Sequence, residues 1–234
     1  MLSAVIITRD EADRIEACLR SLAFCDEVLV LDSGSTDDTV SRARALGARV
    51  EQADWPGFVA QKNRALAAAR GDWVLSVDAD ETVGDALREA IRREVAAPRA
   101  DGFRVCRRNV YLGRPLRGGL AWPDRRVRLV RRDKARWEGR DPHDVLVVEG
   151  AVDDLDGELL HVPYRSLGDH LARIERYTQM DARDGSVLDL LLRPPWHFVR
   201  AYVIMGGFRD GFHGLLYAVL GALYVLLKWG RRRL

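Results

Sequence analysis

An α/β fold, a mostly parallel sheet with helices on both faces, is what this chain predicts from three observations in its first eighty residues. Apolar runs at 2–7, 28–31 and 73–77 are short and do not alternate with polar residues, as strands covered on both faces require; 48–51 is a weaker edge candidate. Helical patterns fill the intervals at 12–22, 37–46 and 58–69. Each long strand then exits through polar residues: Thr8-Arg9-Asp10-Glu11, Asp32-Ser33-Gly34-Ser35-Thr36-Asp37 and Asp78-Ala79-Asp80-Glu81. The order βαβαβαβ implies right-handed crossovers, and in such open sheets ligands bind outside the carboxyl ends of the strands.

After a helix at 85–95 the alternation stops. Segments 103–110, 126–130 and 145–148 read as strands separated by turns rich in Gly, Pro and Arg, followed by a helix at 167–183. Pro194-Pro195 marks a boundary, because a proline inside a helix removes a hydrogen bond and clashes with the preceding turn. The expected organisation is therefore a catalytic domain over 1–190, with a nucleotide-binding half at 1–97 and an acceptor half at 98–190. A C-terminal extension of amphipathic, membrane-associating helices is expected at 191–234.

At 47% hydrophobic and 31% charged, the 234 residues read as a globular chain rather than a disordered one. Cys18, Cys25 and Cys106 fit neither a disulfide framework nor a zinc spacing, which points to a reducing compartment. The N-terminus becomes charged at Arg9, too early for a secretory signal, so a cytoplasmic start is expected. Net charge is only +2 but uneven: 104–140 holds thirteen Lys/Arg against three acids, and 193–234 holds seven against one. That asymmetry favours an anionic partner facing the second half, with an arginine-rich solvated surface as the competing explanation. No nucleic-acid partner is expected.

The strand exits carry the candidate chemistry. In LDSGSTDDT, Gly34 permits a tight turn and Ser35 or Thr36 can cap the next helix. A cap does not need a carboxylate at the last residue of a buried strand, so Asp32 is read as an acceptor for a planar base or a sugar hydroxyl. In GFVAQKNRAL, Lys62 opens a helix whose start near the sheet's carboxyl edge suits phosphate. VDADE concentrates three acids within four positions, and their mutual repulsion calls for a cation among them. One reading has Asp78 and Asp80 hold Mg2+ or Mn2+ against a diphosphate. Another takes DADET as the nucleophile motif of a haloacid-dehalogenase-like phosphatase, although that motif follows a first strand and this one a fourth.

The series IITRDE, VLDSGSTDDT, GFVAQKNRAL and VLSVDADE resembles glycosyltransferase family 2. Further on, GRPLRGGLAWPDRRVRLVRR, His143-Asp144, HVPYRSLGDHLARIERYTQMDA and GGFRDGFHGLLYAVLGALYVLLKW resemble the branch containing lipopolysaccharide-core heptose glucosyltransferases. The resemblance implies a GT-A fold, a UDP-sugar donor with glucose the foremost sugar, a divalent metal and an inverting mechanism. Carried over by position, it implies that Thr8 and Glu11 flank the nucleobase and ribose, Asp32 reads the base, and Lys62 lies near the donor. Asp78 then contacts ribose or metal, and Asp80 is the principal metal ligand. His143 binds the metal or the departing diphosphate. Asp144 is the first choice of general base and Asp124 the second; relatives that show His-Glu have a longer carboxylate at the position of Asp144. The chain lacks the QxxRW motif of processive polysaccharide synthases.

The tail completes the expectation. The apolar run at 215–227 is thirteen residues, below the roughly 17–25 needed to span a bilayer. With Lys228, Trp229 and Arg231 to Arg233 after it, the run reads as an interfacial anchor on anionic lipid, Tyr217 and Tyr224 lying at headgroup level. A core helix or a homodimer contact is the alternative. The whole implies a peripheral enzyme at the inner face of a bacterial cytoplasmic membrane, acting on a lipid-linked saccharide; a noncatalytic membrane-bound scaffold of the same fold is the remaining rival.

Overall fold

The computed structural model describes residues 1–141 and 143–231. Two compact units make up the chain: Met1–Arg107 with Arg125–His161, and Arg108–Asp124 with Val162–Leu234. This division is discontinuous, where a linear split at 190 was expected.

The first unit is built on a sheet whose left half follows the predicted alternation. Strands β1 (Leu2–Thr8), β2 (Glu27–Asp32), β3 (Arg49–Gln52) and β4 (Trp73–Ser76) run parallel in the order β3-β2-β1-β4. Helices α1 (Ile15–Ser21), α2 (Thr39–Ala45) and α3 (Phe58–Ala68) connect them. The unalternating apolar runs have a simple cause: successive strand residues enter different cores. Leu2, Ala4 and Ile6 of β1 pack with Ile15, Cys18 and Leu19 of α1, whereas Val5 packs with Ala65 and Leu66 of α3. Both faces of the sheet are therefore dry.

Helices α1 and α2 begin later than their apolar periodicity predicts, because the first turns are taken by loop bonds. The N–H of Glu11 donates to Thr39 Oγ1 at 2.8 Å, and that of Ala12 to Asp37 at 3.1 Å. These bonds tie the exit of β1 to the exit of β2. Beyond β4, the order continues through β8 (Asp124–Arg131), β6 (Gly102–Tyr111), β11 (Val152–His161) and β5 (Glu81–Val83), with β4–β8 and β11–β5 antiparallel. Helix α4 (Asp85–Ala96) adds Leu87, Ala90 and Ile91 to the core. A separate antiparallel ribbon, β9 (Ala135–Arg140) with β10 (His143–Val148), contributes Trp137 and Leu146 to the α3 side.

The second unit contains the short strand β7 (Arg114–Pro115) and three helices, α5 (Leu167–Met180), α6 (Val187–Phe198) and α7 (Gly211–Gly230). Its core centres on Tyr111, Leu116 and Ala121, with Tyr164 and Tyr217 against them. The Pro194-Pro195 boundary is not observed: both prolines lie inside α6, which continues as a π-helical stretch, Val199–Ile204. Two absent donors loosen the hydrogen-bond ladder without ending the helix, and packing of α6 along α7 carries it through.

Helix α7 is also longer than the apolar run that announced it. Gly214 and His213 interrupt the run but not the helix, and Gly207–Gly230 is long and apolar enough to cross a membrane by length and composition alone. Several of the side chains assigned to lipid are used internally. Tyr217 packs edge-on against Tyr111, Lys228 pairs with Asp181, and Arg231 pairs with Glu175 and Thr178. Arg232 and Arg233 lie outside the described residues.

Candidate active site

The VDADE segment turns directly from β4 into β5, and its third acid builds the turn. Glu81 is wholly buried, and Glu81 Oε2 accepts the N–H of Asp78 at 2.9 Å, while the N–H of Glu81 donates to Asp78 O at 3.0 Å. Its other oxygen accepts from Arg128 of β8 at 2.5 Å and from Arg107 of β6 at 3.3 Å. Arg128 also donates to Asp78 Oδ2 at 2.9 Å. The repulsion expected among the acids is thus met first by arginines. Burial depresses the Arg128 pKa, but Glu81 and Asp78 more than reverse it, so the guanidinium stays charged. Burial and the neighbouring Asp78 raise Glu81 against the opposing pull of Arg128.

Lys62 joins Asp78 to Asp144. From α3 its Nζ lies 2.7 Å from Asp144 Oδ2, 3.6 Å from Asp78 Oδ1 and 4.3 Å from the Trp137 ring centroid. Burial pushes the Asp78 carboxyl up, yet Lys62 and Arg128 outweigh it and hold the group well below the usual carboxylate range. Two contacts fix α3 in this position. Asp141 accepts the N–H groups of Phe58 and Val59 at 3.0 and 3.2 Å, and Asn63 exchanges two 2.8 Å bonds with the Trp137 backbone. Those first N–H groups are therefore occupied by a carboxylate of the chain itself, which corrects the expectation that they await phosphate. Gly57, at φ 114°, is required beside them: a Cβ there would stand 2.2 Å from Asp141 Oδ2.

Asp80 faces a different set of cations. His161 Nε2 lies 3.5 Å and Arg14 Nη1 3.7 Å from Asp80 Oδ2, and Glu11 grips Arg14 at 2.5 Å. Burial raises the Asp80 pKa, but the His161 contact and charge overcome it and the carboxyl sits below its ordinary value. Thr8, at the end of β1, has a buried Oγ1 without a hydrogen-bond partner among the described residues, the condition a polar ligand would relieve.

Asp32 ends β2 fully buried, and its carboxylate is engaged with its own loop. It accepts the N–H groups of Gly34 and Ser35 at 3.0 Å each and the Ser35 hydroxyl. His143 stands exposed at the start of β10, paired in register with Arg140. Asp124 opens β8 and belongs to the second unit. The first unit thus brings together Glu11, Lys62, Asp78, Asp80 and Asp144 of the expected residues, with Thr8 and Asp32 at neighbouring strand ends.

No group of three or more His, Cys, Asp or Glu side chains with metal-holding geometry occurs among the described residues. The donor set nonetheless suits Mg2+ or Mn2+ alongside a diphosphate, since such ions take one or two carboxylates and complete their coordination with phosphate and water oxygens. Asp78 and Asp80 are two such carboxylates on one turn.

Sequence reasoning did not single out Arg14, Arg107, Arg128, Trp137 or His161. Arg128 had a readable signal: it stands between Val127 and Leu129 in a strand, where a charge needs a buried partner.

The pattern that defines Glycosyl transferase family 2 matches residues 3–145, a span from β1 to the Asp144 pair that encloses most of this cluster. The chain belongs to glycosyl transferase family 2. A lipopolysaccharide core biosynthesis glycosyltransferase, LpsC of Rhizobium meliloti (strain 1021), is 31% identical over 97% of this chain and 89% of its own. An uncharacterized glycosyltransferase of Rickettsia typhi is 29% identical over 99% of this chain and 86% of its own. Among solved structures, S. aureus TarS 1-349 superimposes with a TM-score of 0.53 at 16% identity, covering 99% of this chain and 91% of that one. The fold is of the GT-A type. Family membership removes the phosphatase reading of DADET, since that segment falls inside the matched span.

Proposed function

We propose that this glycosyltransferase moves a sugar, with glucose the foremost candidate, from a UDP-sugar to a hydroxyl of a lipid-linked saccharide of the lipopolysaccharide-core kind, inverting the anomeric centre. The observation that carries the reading is the placement of Asp144 and Asp78 on one ammonium, that of Lys62. A base for the acceptor hydroxyl and a carboxylate for the donor are then neighbours, as a single displacement demands. The name of LpsC supports the acceptor class.

In this reading Thr8 and the loop shaped by Asp32 bound the base, with Glu11 and Arg14 beside them. Asp80 and Asp78 would hold a divalent ion, which when bound supplies charge to the leaving diphosphate. Lys62 adds a further cation for that charge. Asp144 takes the proton of the acceptor hydroxyl; Asp124 is the second candidate for this role, and His143 a candidate contact to the diphosphate. The acceptor and the basic, apolar C-terminal segments together favour a peripheral position at the inner face of the cytoplasmic membrane.

Purified protein assayed with Mn2+ and a panel of UDP-sugars should transfer or hydrolyse one of them. Asp144→Asn should keep donor affinity near normal and lose at least about a hundredfold in rate, the scale of general-base loss. An active Asp144→Asn beside a dead Asp124→Asn would reverse the assignment.

A further inference from the structure

Half of the large exposed apolar side chains among the described residues fall between Val187 and Phe212. Leu188, Leu191, Leu192 and Trp196 of α6 are each 60% exposed or more, and Phe212 reaches 71%. No residue of α6 is buried, although the helix packs along α7. Soluble monomers rarely leave so continuous an apolar face uncovered.

The acids around this face are already engaged. Of its two acids, Asp189 is spent on the Ser186 cap and on Arg193 at 2.6 Å. Asp210 is buried, and its carboxylate accepts the N–H groups of Arg117 and Gly118 at 3.0 Å. Arg114, Arg117 and Arg209 meanwhile line a cavity of about 290 Å3 with Pro115 and Asp210. None of the three guanidinium groups forms an ion pair among the described residues. Arg209 lies over the ring of Phe208, so the cavity adjoins the apolar face. With one carboxylate already holding a loop, three arginines in so small a space call for an anion.

The geometry points to a membrane-docking surface made by α6 and the segment after it, with the arginine cavity taking the phosphate of an anionic lipid headgroup. An apolar band with a basic concavity at its edge matches the boundary between acyl chains and a negatively charged leaflet. A second copy of the chain matches it less well, because each would present the same positive rim to the other. The surface narrows the membrane association expected of 191–234, where the sequence centred lipid contact on 215–227, to α6 and the segment after it, and so deepens the peripheral position proposed above. It stands apart from the transfer chemistry and can fail or hold independently of it.

The test uses the full chain and vesicles of phosphatidylcholine, with or without phosphatidylglycerol. Wild type should sediment with the anionic vesicles, and brominated lipid should quench a component of its fluorescence that is missing in Trp196→Phe. L191E/L192E should abolish sedimentation. R114A/R117A/R209A should weaken binding to anionic vesicles by about a hundredfold and erase its salt dependence, from the contribution of each basic residue near a charged leaflet. Both variants change exposed side chains, so unchanged thermal unfolding should accompany the loss. The proposal falls if the arginine variant binds like wild type. It falls also if L191E/L192E turns a dimer into a monomer while vesicle binding persists, or if inorganic phosphate binds the wild-type cavity and vesicles do not.

Discussion

Among single residues, the acidic turn is governed by Arg128. It is 3% exposed and touches two carboxylates, so its removal strands Glu81 in the core. Arg128→Met should cost about 3–5 kcal/mol, the scale for breaking a buried pair, whereas Glu81→Leu with Arg128→Met should recover part of that loss; urea unfolding of the two variants beside wild type measures both. Asp80 has a different task. It lies at the mouth of the same turn, and Asp80→Ala should abolish transfer while leaving circular dichroism unchanged, with EDTA imitating the substitution. Full activity of the variant in EDTA would remove the metal from the mechanism. The acids were legible because an apolar strand ends on them. Their arginines were less so: Arg128 is marked only by its apolar neighbours Val127 and Leu129, and Arg107, next to Arg108, carries no such mark, so the tertiary register decides that it turns inward.

Among elements, α3 decides whether Lys62 reaches Asp144. Its N-terminus is held by Asp141, a residue separated from it by 83 positions in sequence. Asp141→Ala should cost about 1 kcal/mol, as for loss of a side-chain cap. It should also raise the donor KM more than it lowers kcat, because Lys62 loses its anchorage while Asp144 keeps its strand. Equal effects on both parameters would show that α3 stays in place without the cap. Such a cap leaves no trace at the helix's own start, which is why free N–H groups were expected there. Strand β11 was missed for a related reason. Asp153, Asp154, Asp156 and Glu158 make it read as a loop, yet Arg99 and Arg104 pair with its acids, and Leu155 and Leu159 pack inward. By contrast β1, β2, β4, α3 and α4 follow from local periodicity alone, since each covers or is covered by a core that the pattern itself declares.

For the molecule as a whole, the two units should respond to acid in opposite senses. In the second unit His170 is buried, lies 3.0 Å from the Tyr111 hydroxyl and stacks on Tyr164. Burial, helped by Arg173 and only partly opposed by Asp169, pushes its pKa down to about 4. His197 is lowered as well, by burial and then by Arg200. A base whose folded pKa is depressed binds its proton more readily when unfolded. Between the ordinary histidine value of about 6.5 and about 4, the unfolded state therefore takes up more protons, and this unit loses stability as pH falls. Glu81 in the first unit works the other way: its folded pKa is raised, so the folded state protonates first and gains relative stability as pH drops toward the ordinary glutamate value. Asp78 and Asp80, both lowered, give up their contribution only below the ordinary aspartate range. Acidification from neutrality should consequently split one thermal transition into two, the earlier belonging to the second unit. Hydrogen exchange followed from pH 7 to pH 4.5 should show protection falling first in α5 and α7, and His170→Gln should flatten that dependence. Simultaneous loss of protection in β1 and α5 across the same range would show that the two units unfold as one.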